Sequence, residues 1–356
     1  MQDLNSNTPK AMEIGVYTFG DLGTDPLTGT RISPQQRLQE VISASKLADE
    51  AGLDIFGLGE HHRLDYTVSS PAVVLAAIAS HTSRIKLTSA TSVLSTLDPV
   101  RLFEDFATLD LLSNGRAEII TGRGAFVESF PLFGYDLSDY DALFDENIHL
   151  LLELNKKEIL TWNGKYRSSL ENAMISPRPI QKELPIWVGV GGTPESAIRA
   201  GKLGVGMALA ILGGDPIRFK PLVDLYHQAG LEAGHSLEQL KVGVTGHTYL
   251  SKTSQQAKDE FFPYYSNYWA YVNRQRGMGS RMSRADFDYM ASPETALFVG
   301  SPQQIIEKIL HQHELYGHSR FIAQMDIGGL PYAQVAKGIE MLATEVAPVV
   351  RRETCR

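Results

Sequence analysis

Three short stretches carry side chains whose types and spacing suit chemistry. The first is Glu60-His61-His62, the second Thr121-Gly122-Arg123-Gly124, and the third Gly189-Val190-Gly191-Gly192-Thr193-Pro194-Glu195-Ser196. Adjacent histidines on an extended chain point to opposite sides, and they lack the i, i+4 spacing of helical zinc ligands, so the triplet favours proton handling over metal chelation. A histidine that only bonds a backbone carbonyl is the bland alternative. In the second stretch, glycine lets a flat ligand or a phosphate approach the backbone, and arginine offers a fork of donors that matches phosphate; a tight turn with a surface arginine is the alternative. The third has a GxG but not the third glycine of a dinucleotide fingerprint, and it comes too late in the chain for one. It reads as a glycine turn opening a capped helix, whose free N–H groups, with the Thr193 and Ser196 hydroxyls, could hold a phosphate; a plain strand-to-helix connection capped by Thr193 remains open.

These stretches need elements to hold them. Six times a capping residue precedes proline, at Ser33, Ser70, Asp98, Thr193, Asp215 and Ser301. That pairing predicts a helix start, because the cap oxygen takes an orphan N–H and proline gives up a donor that had no partner. After Pro34, Leu38, Val41, Ile42, Ser45 and Ala48 share one face up to Gly52; after Pro302, Ile305, Ile306, Ile309 and Leu310 do so up to Gly317. Between helices lie apolar runs at 14–19, 55–58, 85–90, 117–121, 186–190, 205–210, 242–250 and 321–327. Their near-continuous hydrophobicity fits strands covered on both faces, and eight such runs alternating with helices predict a single α/β domain, a (β/α)8 TIM barrel over 12–356. All three stretches then fall at the C-terminal ends of strands, where barrels carry their chemistry.

Two insertions interrupt the alternation. Residues 157–184 predict a small hairpin before the fifth strand. After the seventh, 261–299 contains FFPYYSNYWAY, with Tyr264, Tyr265, Tyr268 and Trp269, then Arg274, Arg276, Gly277, Gly279, Arg281 and Arg284. This second insertion is expected to be a mobile lid over the barrel mouth, with a dimer contact or a solvated excursion as alternatives. Residues 1–11 are expected to be a mobile tail. A net charge of −8 with dispersed basic residues argues against nucleic acid, because phosphate neutralisation needs clustered Lys and Arg. The lone Cys355 excludes an intramolecular disulfide and a cysteine metal site. A polar N-terminus and the lack of a long apolar run lead to the expectation of a cytoplasmic protein without membrane association.

The set resembles the bacterial luciferase-like flavin monooxygenases. The resemblance rests on GLDIFGLGEHH, TSRIKLTSATSVLSTLDPVRLFEDFATLDLLSNGRAEIITGRG, LPIWVGVGGTPESAIRAGKLGVG and FVGSPQQIIEKI, which span nearly the whole chain in order. It implies a (β/α)8 barrel that binds FMN, reduced by NAD(P)H in place or by a separate reductase, and oxygenates a small organic substrate with O2 through a flavin C4a-hydroperoxide. By the same resemblance His61 is a catalytic base with His62 next to it as the second catalytic candidate, and Glu60 lines the pocket. Ala90 and Thr91 lie under the flavin ring, sometimes joined by a cis peptide, and Gly122 lies near the reactive carbon. Arg123 binds phosphate with Val190, Gly191, Gly192, Thr193 and Ser196, and Met207 to Ala210 form the flavin wall. Glycine at position 122, where luciferase has cysteine, and the distinct 261–299 insertion mean that light emission is not implied. A homodimer completes the expectation. The alternatives are an F420-dependent oxidoreductase on the same barrel, using the insertion's arginines, and a flavin-binding protein without turnover.

Overall fold

A computed structural model describes residues 11–275 and 281–355. Eight parallel strands form its centre: β1 (Glu13–Thr18), β2 (Ile55–Leu58), β3 (Lys86–Ser89), β4 (Ala117–Gly122), β5 (Ile186–Val190), β6 (Gly206–Ala210), β7 (Val242–Leu250) and β8 (Arg320–Gln324). Each pairs with its sequence neighbour, and β8 returns to β1 with Glu13 opposite Arg320, so the sheet closes into a barrel without an edge. The eight apolar runs coincide with these eight strands.

Helices α1 (Pro34–Glu50), α2 (Pro71–Ala79), α3 (Pro99–Ser113), α4 (Tyr140–Lys156), α5 (Pro194–Leu203) and α6 (Lys220–Glu232) follow the first six strands. Then come α7 (Ser254–Gln275), α8 (Arg284–Met290), α9 (Pro302–Tyr316) and α10 (Tyr332–Met341). Ser33, Asp98 and Ser301 cap their helices through side-chain oxygens, as the Xaa-Pro pairs predict. Asp215 caps a short 3-10 turn, Pro216–Phe219, that leads into α6. Ser70 and Thr193 occupy cap positions without capping bonds; for Thr193 this turns out to matter.

Strand alternation divides the core in two. Outward residues pack against the helices in one large cluster, while Tyr17, Ile55, Ile120, Trp187, Ala208 and Ile322 fill the barrel with Phe19 and Ala90 against them. The strand starts are plugged by charge: Arg320 bonds Glu118 at 2.7 Å and Glu13 at 2.6 Å, Lys86 bonds Glu13 at 2.6 Å, and the guanidinium lies 4.2 Å from the Trp187 ring. The interior is therefore open only at the C-terminal ends.

The 157–184 insertion contains the antiparallel hairpin Ile159–Trp162 and Leu170–Met174, as expected. Much of the 261–299 stretch is helical: it contains most of the long helix α7, followed by α8. Phe261, Tyr264 and Tyr265 are fully buried. These aromatics recur at helical spacing and so form a packing face. Arg284 pairs with Asp259 and Asp288 on α7 and α8. Arg276, Gly277 and Gly279, like residues 1–10, lie outside the described residues.

Candidate functional site

A cavity of about 280 Å3 opens at the C-terminal mouth, lined from seven of the eight barrel strands. Glu60, His61 and His62 reach it from β2, Ala90 and Thr91 from β3, Gly122 and Arg123 from β4, Val190 and Gly191 from β5, and Ala210 from β6. Segments distant in sequence thus converge because a barrel aligns all its strand C-termini at one end.

Glu60 organises the β2 and β3 ends. Its N–H donates to Thr91 O at 3.0 Å, and its carboxylate accepts from Val93 N at 2.9 Å and pairs with His62 Nε2 at 2.7 Å. The Ala90–Thr91 peptide is cis. Thr91 fits only because glycines flank it. A Cβ on Gly122 would lie 2.7 Å from Thr91 Oγ1, and one on Gly189 3.0 Å from Thr91 Cγ2.

His61 points away from His62, as neighbouring residues on extended chain must, and enters an aromatic nest. Its ring stacks on Tyr66 at 4.4 Å and meets Phe19 at 4.5 Å and Phe126 at 5.2 Å edge-on. Nε2 is buried without a hydrogen-bond partner. Burial in this nest, helped by the charge of Arg63, pushes the imidazole down to about 3, so it is neutral at neutral pH. Sequence supplies the residue type, whereas tertiary burial sets its protonation.

Arg123 organises the opposite rim. Its Nη2 donates to Thr193 Oγ1 at 3.0 Å and Ser196 Oγ at 2.9 Å, and the two hydroxyls are 2.7 Å apart. Thr193 therefore spends its oxygen on Arg123 and Ser196, which is why α5 starts without a side-chain cap. Cβ atoms on Gly191 and Gly192 would meet nothing within 4 Å, and Gly192 has φ of +127°, so open space adjoins this cradle. Gly192, Thr193 and Ser196 stand behind Arg123 and do not line the cavity themselves.

Met207 and Leu209 are expected wall residues that face elsewhere. Both are wholly buried in the layer between barrel and helices, whereas Ala208 and Ala210 of the same strand line the cavity. Period-two alternation forbids four consecutive residues from sharing a wall.

Several lining residues escaped sequence reasoning. Tyr17 and Thr245 lie in strands without a motif and Phe19 just beyond β1, while Phe126 and Ser129 lie in the connection from β4 to α4 and Tyr140 starts α4. Strand alternation applied to β1 and β7 would have found Tyr17 and Thr245. Tyr66 and Asp141 had no local signal. On α7, Asn267, Tyr268, Tyr271 and Val272 border a small cavity with Asp21, Asp65, Tyr66 and Phe126, which brings that helix against the aromatic nest.

Residues 12–319 match the family model described as luciferase-like monooxygenase. The oxygenase component of the flavin-dependent trigonelline monooxygenase of Acinetobacter baylyi is 24% identical over 345 residues, covering 89% of this chain and 92% of that one. Among solved structures, the monooxygenase RslO1 from Streptomyces bottropensis superposes with a TM-score of 0.81 at 24% identity, over 95% of this chain and 99% of the other. The oxygenating constituent of 3,6-diketocamphane monooxygenase from Pseudomonas putida, in complex with FMN, gives 0.76 at 20% identity, over 95% and 98%. The coenzyme F420-dependent tetrahydromethanopterin reductase from Methanopyrus kandleri gives 0.71 at 19%, over 96% and 99%.

Proposed function

The chain belongs to the luciferase-like monooxygenase family, and from that premise we propose that it is an FMN-dependent monooxygenase acting on a small organic substrate with O2. The observation that carries the FMN reading is the convergence of Arg123, Thr193 and Ser196 at the uncapped start of α5, beside the open space at Gly191 and Gly192. A guanidinium fork and two hydroxyls at the positive end of a helix form a donor set suited to a phosphate monoester. Ala90, Thr91, Gly122, Val190 and Ala210 offer a smooth wall of small side chains for a planar ring, and Glu60 fixes the 90–93 segment of it. Reduced flavin, when bound, supplies two electrons to O2, so that one oxygen atom goes to substrate and the other leaves as water.

The protein's part is to bind, orient and exclude water. Phe19, Tyr66 and Phe126 keep solvent from His61; burial disfavours its imidazolium, so its unpartnered Nε2 can hold a proton only transiently, hydrogen-bonded to the reacting group beside it. His62, held by Glu60 at the cavity wall, is the second candidate for proton transfer. The name of the Acinetobacter relative, an oxygenase component, supports a separate flavin reductase as the electron source, with NAD(P)H as ultimate donor. A homodimer in the cytoplasm belongs to the same reading.

The experiment is a titration of purified protein with FMN and with riboflavin, before and after Arg123→Ala. A charge-assisted fork to phosphate contributes roughly 1.5–3 kcal/mol, so FMN affinity should fall about ten- to a hundredfold while riboflavin binding holds. Unchanged FMN affinity removes Arg123 from the site. F420 run in parallel tests the runner-up, hydride transfer on the same barrel. Oxygen uptake with reduced FMN and a substrate panel separates an enzyme from a flavin-storage protein.

A further inference from the structure

The cradle contains an anion of its own. Arg123 Nη1 donates to Asp141 Oδ1 at 2.5 Å, while Nη2 serves Thr193 and Ser196. Asp141 is the second residue of α4, and the first, Tyr140, ties that helix start to the rim. The Tyr140 hydroxyl donates to Gly124 O at 2.7 Å, and its ring lies 5.2 Å from the Arg123 guanidinium. The local chain path therefore delivers the carboxylate to the arginine.

Nothing in the packing requires a carboxylate there. The Asp141 side chain is 66% exposed. One turn further along α4, Asp145 pairs with Arg199 of α5 at 3.4 Å, and Arg199 also lies over the Phe144 ring, so α4 and α5 are joined without Asp141. A carboxylate at the lip of a site built from phosphate donors opposes the ligand that those donors suit.

We propose that Asp141 is a competing anion for Arg123 that sets how tightly, and how selectively, the site holds a flavin phosphate. An arriving phosphate takes Nη1 from Asp141 and then lies near the displaced carboxylate. Both effects lower affinity for a dianion and spare a ligand without phosphate. The site then holds flavin loosely enough to exchange it with solution, as a co-substrate delivered reduced from elsewhere requires. This inference rests on the reading of Arg123 as the phosphate ligand.

The test is calorimetric titration of wild type, Asp141→Asn and Arg123→Ala with FMN and with riboflavin, with inorganic phosphate as a competitor. Exposed pairs are weak, so Asp141→Asn should tighten FMN by roughly three- to tenfold and strengthen phosphate competition, with riboflavin unchanged. Added salt should narrow the difference between wild type and Asp141→Asn. If Asp141→Asn binds FMN equally or more weakly while Arg123→Ala loses it, Asp141 merely positions the arginine and the inference falls although the phosphate reading stands. Equal tightening of FMN and riboflavin also overturns it, because the effect then does not act through phosphate. Wild-type FMN affinity in Arg123→Ala sinks the underlying reading. An unchanged melting temperature in Asp141→Asn excludes a folding defect as the source of any change.

Discussion

His61 and His62 are neighbours in sequence with opposite fates. His62 turns to the Glu60 carboxylate, and His61 turns into the nest of Phe19, Tyr66 and Phe126, where an imidazolium would lose its hydration without gaining a partner. His61 should therefore stay neutral through the physiological range. In proton NMR, the ring resonance that disappears in His61→Gln should keep its neutral position from about pH 8 down to about 5, where a free imidazole with a pKa of ~6.5 would have shifted. A midpoint near 6.5 for that resonance would mean that the nest opens to water. The same variant should lower turnover by ~10²–10⁴ with little change in FMN affinity, as expected of a proton-transfer residue that does not touch the phosphate.

Among the elements, α7 carries aromatics at helical spacing that pack as a face. Tyr265 is fully buried, with Phe261 at 5.2 Å and Phe287 at 5.6 Å; its hydroxyl donates to Leu212 O at 3.3 Å and lies 3.3 Å from His247 Nδ1. Tyr265→Ala should cost ~3–5 kcal/mol in urea unfolding, the range for removing a large ring from a core. A ring without a packing role would instead leave stability intact, so an unfolding midpoint equal to wild type would show that Tyr265 does not hold α7 in place. Thr193 makes the complementary point about α5. A residue that reads as a helix cap does cap-position service in the backbone while its oxygen serves the site, and only the nearness of Arg123, brought by the next strand over, makes that choice favourable.

At the level of the whole molecule, stability should depend on acid through histidines far apart in the chain. Burial pushes His61, His247 and His318 each down to about 3. Between about pH 6.5 and 3 the unfolded chain binds these protons and the native chain does not, so stability falls as pH drops through that window, by up to ~1.4 kcal/mol per unit for each group. Asp326, pushed up to about 7 by burial, acts oppositely: its contribution is full at low pH and is lost as pH rises toward 7. Glu13, held down to about 2 by Arg320 and Lys86 against the cost of its burial, contributes above its ordinary range and is lost below it. With three histidines outweighing Asp326, thermal melts should show a falling Tm from about pH 6.5 to 4.5. His247→Gln keeps a hydrogen-bonding side chain toward Tyr265 and should flatten that fall by about one proton's worth. A slope identical to wild type would show that His247 takes up no proton on unfolding.

The barrel, its eight strands, the hairpin at 157–184 and the three chemical stretches were legible in the sequence because each depends on local rules. Apolar runs mark strands covered on both faces, Xaa-Pro pairs mark helix starts, and a barrel gathers its strand ends at one face. The resemblance of 82–124 and its companions to a family then supplies the proposal of FMN and of the residues that would hold it. What the sequence left open depends on distances across the fold. The side of β6 that meets the cavity follows from the phase of alternation, which turns Met207 to the helices and Ala208 and Ala210 inward. The neutrality of His61 depends on Tyr66 and Phe126 arriving from other segments to exclude water. The anion beside Arg123 comes from Asp141, 18 residues away, at a helix start whose position no local pattern announces. Hydrophobic periodicity is written along one segment and can be read there, whereas dielectric surroundings and charge pairing are properties of segments that meet only after folding.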